Sequence, residues 1–112
     1  MQISSNVEDD VTVVRIQGSL DTQSSPEAQA ALDKLITGGT RRIMCSFADV
    51  DFVSSAGLRV LLATAKKLGT LQGEIRVCAM NPVVKDVFEI SGFSMIIKVF
   101  DTEPEALQGF AG

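Results

Sequence analysis

The hydrophobic period of this chain switches repeatedly between two and about three and a half residues, and that alternation limits its fold more than any other feature. Ile3 to Val7 and Val11 to Ile16 read as strands, the second rich in β-branched residues and ending at Gly18. The acidic turn Glu8-Asp9-Asp10 joins them into a hairpin. Ala28, Ala31, Leu32 and Leu35 then recur at helical spacing. Arg42 to Phe47 returns to alternation, with Ile43, Cys45 and Phe47 on one face. Leu58, Leu61, Leu62, Ala65 and Leu68 make a second helical stripe, and Ile75, Val77 and Ala79 share a face of a strand over Glu74 to Met80. A third helix carries Val83, Val84, Val87 and Phe88. A strand over Ile96 to Phe100 follows, and a short helix with Ala106, Leu107 and Phe110 on its buried side ends the pattern. Strands separated by helices need crossovers, which are right-handed and build a parallel sheet covered by helices. The expectation is a single α/β domain: a mostly parallel sheet, an antiparallel N-terminal edge strand, and about four helices.

The boundaries carry their own punctuation. Ser24-Ser25-Pro26-Glu27 offers a capping box with Pro in the first turn, and Gly38-Gly39 a stop. Ala48-Asp49 reads as a turn. Lys66 and Lys67 suit a helix C-terminus that Gly69 can cap. Asn81-Pro82 opens the third helix, Gly92 ends it, and Thr102-Glu103-Pro104-Glu105 is another capping box.

Composition removes several classes of function. The 112 residues include no histidine, which leaves out Ser-His-Asp and Cys-His catalysis and the common zinc sites. Neither a Walker A loop nor a G-x-G-x-x-G after a strand occurs. The net charge of −4 speaks against nucleic-acid binding and favours partners that present a basic surface. No apolar run approaches the roughly eighteen residues that span a bilayer, and Met1-Gln2-Ile3-Ser4 lacks the features of a signal peptide. Cys45 and Cys78 lie in apolar strands and read as buried free thiols of a cytoplasmic protein.

Polar residues gather in two loops, both expected beyond the carboxyl ends of strands, where sheets of this kind bind their ligands and partners. One is Gly18-Ser19-Leu20-Asp21-Thr22; the other runs from Asp51 to Gly57. Ser54 and Ser55 sit at a strand-to-helix junction, but G-x-S-x-G is missing and there is no histidine base. Either serine can cap the helix; either can accept a phosphate that the helix N-terminus would stabilise. Asp21 reads as a turn residue, as a bond donor's partner across to the Ser55 loop, or as a partner contact. Met44, Met80 and Met95 read as core, and Arg41-Arg42 and Lys66-Lys67 as solvated faces.

The segment Asp51-Phe52-Val53-Ser54-Ser55-Ala56-Gly57-Leu58-Arg59-Val60-Leu61-Leu62 resembles the signature loop and helix of STAS domains in bacterial anti-sigma factor antagonists. Gln17 to Asp21, Gly73 to Cys78 and Asn81 to Phe93 match in the same order, so the resemblance covers nearly the whole chain. It implies a switch rather than an enzyme. The unphosphorylated protein would bind an anti-sigma factor that is also a serine kinase, be phosphorylated, lose binding, and be restored by a metal-dependent phosphatase. The acceptor position falls on Ser55, and partner binding on Asp21, Ser54, Ser55, Ala56 and Gly57. The acidic residue frequent before the acceptor is replaced here by Ser54. No cofactor, metal or nucleic acid is implied, nor insertion into a membrane, and a monomer is expected when free. The alternative is a regulatory or structural STAS subunit of a membrane transport system.

Overall fold

The computed structural model describes residues 1–110. Strands β1 (Gln2–Glu8) and β2 (Val11–Leu20) form the hairpin. Helix α1 (Ser25–Thr37), β3 (Arg42–Val53), α2 (Ser55–Thr70), β4 (Glu74–Cys78), α3 (Pro82–Ile90), a 3-10 turn at Phe93–Met95, β5 (Lys98–Phe100) and α4 (Glu103–Leu107) follow. The sheet order is β1-β2-β3-β4-β5, with β1 antiparallel to β2 and every other pair parallel. This is the expected α/β architecture.

Spatial order equals chain order, so each crossover advances one strand in the same direction. Crossovers of one hand that advance one way place their helices on one face of the sheet. That face holds the larger core, where Val14, Ile16, Ile43, Cys45, Phe47, Ile75 and Val77 meet Leu32, Leu61, Leu68 and Phe88. Phe88 packs edge-on against Phe47, with ring centroids 6.4 Å apart, and against Phe93 at 5.9 Å. The intervening residues of the same strands, Val11, Val13, Met44 and Cys78, point to the other face. There Ala106 and Phe110 cover them. Central strands buried on both sides explain the near-continuous apolar runs at Val11–Ile16 and Ile43–Phe47.

A buried arginine fastens α4 to that second face. Arg76 donates from Nη1 to the carbonyls of Ala106 and Gln108, both at 3.0 Å, and from Nε to Glu74 at 2.9 Å. Its guanidinium lies 4.2 Å from the Phe110 ring centroid. At the other end of α4, Glu103 accepts from Arg15 at 2.8 Å and from the Ser46 hydroxyl at 2.9 Å. A five-residue helix cannot hold itself together in water, so these contacts and Thr102, which caps Glu105 N–H, maintain it.

Local reading failed where tertiary contacts prevailed. Ala48-Asp49 is not a turn: β3 runs through it, and the β2–β3 pairing shifts register nearby, between Arg15 and Gln17. The last strand is only Lys98–Phe100, because the chain first makes its 3-10 turn; Met95 there is 91% exposed rather than core. Val83 is 63% exposed, since α3 turns Val84 and Phe88 inward instead. Arg41 is no solvated side chain: it donates to the carbonyls of Ile36 and Thr40 at the end of α1. Lys66 and Lys67 are exposed as expected, and Arg42 and Lys67 make surface ion pairs with Asp10 and Asp33. Both cysteines are free and buried, as expected.

Arg76→Ala should therefore lower the free energy of unfolding by on the order of 2–4 kcal/mol, read from urea denaturation, because it strips bonds from buried carbonyls and unseats α4. The thiols give a second expectation. Burial pushes Cys45 up to about 12, and burial with the nearby Glu103 carboxylate pushes Cys78 to about 11, against 9.0 for a free thiol. A folded-state value above the unfolded one stabilises below pH 9.0 and loses that contribution as pH rises through 11 to 12. Stability should fall across that alkaline window, and a thiol reagent at pH near 8 should label neither cysteine until denaturant is added.

Candidate functional site

Parallel pairing brings the two polar loops together. Leu20 and Val53 are register partners at the ends of β2 and β3, and the next residue, Ser54, donates its N–H to the Leu20 carbonyl at 2.9 Å. This backbone bond joins the loops. Of the readings open for Asp21, the turn is the one observed: its carboxylate is occupied within its own turn and makes no side-chain bond across to the Ser55 loop.

Asp21 Oδ1 accepts the N–H groups of Gln23 and Ser24, both at 3.0 Å. Its carbonyl accepts the N–H of Ser25 at 2.8 Å, and the Ser25 hydroxyl as well. Asp21 thus organises the turn that feeds α1, the capping work expected of Ser24. Ser24 is already helical, at φ −90° and ψ −18°, and makes no side-chain cap. Its hydroxyl instead donates to Ser19 O at 2.8 Å and accepts from Asp21 N–H at 2.9 Å. The Ser24 N–H holds the Asp21 carboxyl below the ordinary carboxylate range against a smaller opposing effect of desolvation, and the Ser24 hydroxyl and Gln23 N–H add to the lowering. Asp21 is therefore an anion and a weak base.

On the facing loop the two serines divide the work. Ser54 is extended, at φ −89° and ψ 175°; its hydroxyl accepts from Gly57 N–H at 3.4 Å, and its carbonyl accepts from Leu58 N–H at 3.0 Å. Ser55 is the first residue of α2 and is exposed. Ala56 is half-buried and Gly57 buried. A Cβ on Gly57 would stand 2.6 Å from Leu20 O and 2.8 Å from Leu20 Cγ, so only glycine lets the start of α2 lie against the end of β2. Asp21, Ser54, Ser55, Ala56 and Gly57 accordingly meet at one end of the sheet.

Asn81 does more than the capping that Asn-Pro predicts. It does accept Val84 N–H at 2.8 Å, but its side-chain nitrogen also donates to Val50 O at 3.1 Å and Asp51 O at 3.3 Å. The start of α3 is thereby tied to the strand end that leads into Ser54. Phe52, on that strand end, is 49% exposed and puts an apolar surface two residues before Ser54. The Asn-Pro pair after a strand marked the cap; nothing local marked the second bond.

Chemically, the site presents a serine hydroxyl at the positive end of a four-turn helix, with free N–H groups nearby and an anion on the adjoining loop. It can receive a phosphoryl group. No base among the described residues is held against that hydroxyl, since the Asp21 carboxylate is engaged by the N–H groups of Gln23 and Ser24 within its own turn. Among the described residues no cluster of three or more His, Cys, Asp or Glu could hold a metal, and no helix is long and apolar enough to cross a membrane.

Gly57→Ala should cost about 1–3 kcal/mol of stability in urea unfolding, from overpacking against Leu20. Gly69→Ala, in the same helix with open space around it, should be neutral or stabilising and serves as the control.

The sequence profile of the STAS domain matches residues 2–106. The provisionally named anti-sigma factor antagonist BtrV of Bordetella bronchiseptica is 34% identical over 110 residues, which is 98% of this chain and 95% of that protein. The anti-sigma F factor antagonist of Paenibacillus polymyxa is 33% identical over 98 residues, covering 87% of this chain and 84% of its own length. The crystal structure of an anti-sigma factor antagonist from Mycobacterium paratuberculosis superimposes with a TM-score of 0.91 at 24% identity, covering 99% of this chain and 94% of that one. With its strand order, its Ser54–Gly57 helix start and these matches along nearly its full length, the chain belongs to the STAS domain family.

Proposed function

We propose that this chain is an anti-sigma factor antagonist working as a phosphorylation-controlled partner switch, with Ser55 as the acceptor. The observation that carries the reading is the division of labour at the start of α2: Ser54 caps the helix, which leaves the Ser55 hydroxyl exposed and uncommitted. The names borne by its relatives over most of their length support the same class of activity.

In this reading, the unphosphorylated protein binds a serine-kinase anti-sigma factor through the Asp21 loop and the Ser54-Ser55-Ala56 surface, with Gly57 setting how closely that surface sits on β2. The kinase supplies nucleotide, metal and base. Ser55 Oγ attacks the γ-phosphorus of ATP; the new O–P bond replaces the bridging bond to ADP, and the hydroxyl proton passes to the kinase's base. A metal-dependent phosphatase later hydrolyses the ester. All of this takes place in the cytoplasm.

Phosphorylation adds about −1.5 to −2 of charge. Within the free protein that charge meets the N-terminal dipole of α2, so the fold tolerates it. At an interface the partner must desolvate a strongly hydrated dianion beside the Asp21 carboxylate, and binding is lost.

Incubation with the cognate kinase and ATP should place the phosphate on Ser55, located by mass spectrometry, and Ser55→Ala should abolish labelling. The phosphoprotein should keep its circular dichroism spectrum while partner affinity falls by a few kcal/mol, each 1.4 being about tenfold. Ser55→Asp should reproduce part of that loss. Phosphate found on Ser54 alone, or a phosphoprotein that binds as tightly as the unmodified one, would overturn the reading.

A further inference from the structure

We propose that β1 is a self-pairing edge, through which two copies of this chain join antiparallel about a two-fold axis at Ser5 to form one continuous sheet. The sheet has two edges, and they differ. Strand β5 is three residues long and carries Lys98, the usual means of discouraging edge pairing. Strand β1 is seven residues long and has no proline, lysine or arginine; its pairing with β2 runs without a bulge. Its single charge is Glu8, at its very end. Nothing on this strand blocks another from adding to it.

The phase of the free hydrogen-bonding groups selects the partner. Asp9 and Asp10, with φ 49° and 71°, form a two-residue turn that closes on the Glu8–Val11 pair. Bonded and non-bonded pairs alternate along an antiparallel ladder, so Glu8, Asn6, Ser4 and Gln2 exchange bonds with β2. The N–H and C=O groups of Ile3, Ser5 and Val7 are left pointing outward. A second β1 laid antiparallel with Ser5 opposite Ser5 sets Ile3 against Val7 on both sides of the axis. That register, alone among the symmetric ones, uses every outward group.

The side chains agree with the backbone. Val7 is 71% exposed, an apolar residue with no cover in the isolated chain, and in this register it gains the Ile3 of the second copy as its cross-strand neighbour. Ser4 opposes Asn6, and Glu8 opposes Gln2, whose amide can donate to the carboxylate; no like charges of the two strands oppose one another. Helix α1 leaves an open groove above β1, lined by Ile3, Ser5, Val14, Ala31 and Leu35 together with Lys34, so it does not shield the edge. Ser55, on the helix that follows β3, stays accessible in such a pair. One strand pair covers far less than the 1,000 Å² or so of a stable interface, so the association is weak and concentration-dependent, with a monomer in dilute solution.

Disulfide trapping tests the register. The two Ser5 Cα atoms would lie about 5.5 Å apart, within disulfide range, whereas Ser4 faces Asn6 rather than its own counterpart. The native cysteines are buried and leave the background low. Ser5→Cys should form a covalent dimer at least about tenfold faster than Ser4→Cys under the same mild oxidant. Sedimentation equilibrium of the unmodified chain should show association rising toward millimolar concentration, and Val7→Lys should abolish it while keeping the native circular dichroism spectrum. A chain that stays monomeric at millimolar concentration overturns the proposal, including the case in which the edge serves a segment of another protein. Equal trapping rates for the two cysteine variants, or undiminished association of Val7→Lys, overturn it as well.

Discussion

Because β2 and β3 run in the same direction, both strands deliver their loops to one end of the sheet, and the Ser54 N–H to Leu20 carbonyl bond fixes the height at which they meet. The rest of the site follows from that contact. Gly57 must lack a side chain because the Leu20 carbonyl occupies the space where one would stand. Ser54 must be extended to donate to Leu20 while capping α2, and this leaves Ser55 as the first helical residue, facing solvent. An exposed hydroxyl at a helix N-terminus is thus a consequence of how two parallel strands end.

Rigid polar contacts surround this site, and each relieves a neighbour of a task. Asp21 closes its own turn, which frees Ser24 to reach back to Ser19. Asn81 caps α3 and also holds the end of β3 through Val50 and Asp51. A charge added at Ser55 would enter a framework already satisfied by its own bonds. Such a charge would therefore leave the fold intact.

The far side of the sheet obeys a different constraint. Three crossover helices occupy one face, leaving Val11, Val13, Met44 and Cys78 to be covered by whatever follows β5. The chain meets that need with one short helix, and Arg76 makes it sufficient by binding its last carbonyls and lying over Phe110. A charged side chain in the middle of a central strand is costly unless it finds partners, and here they are the Glu74 carboxylate and the backbone carbonyls that α4 leaves open.

The order and type of the elements were legible in the sequence, because hydrophobic period, β-branched content and caps such as Asn81 and Thr102 act over a few residues. So was the pairing of the two polar loops at one end, since parallel strands allow nothing else. Local reading failed where a residue's role depends on what reaches it from elsewhere. Ser24 had the right spacing to cap α1, yet Asp21 and Ser19 claimed it; Ala48-Asp49 looked like a turn, yet pairing with β2 kept β3 extended. Val83 and Met95 had the right polarity for a core, but α3 and the 3-10 turn faced them outward. Short-range patterning was enough to dictate the layers and the end of the sheet where the two polar loops lie. Which serine caps and which is free, and the need for glycine at position 57, emerge only once the chain is packed, because both depend on where the Leu20 carbonyl lies, a backbone atom more than thirty residues away along the chain.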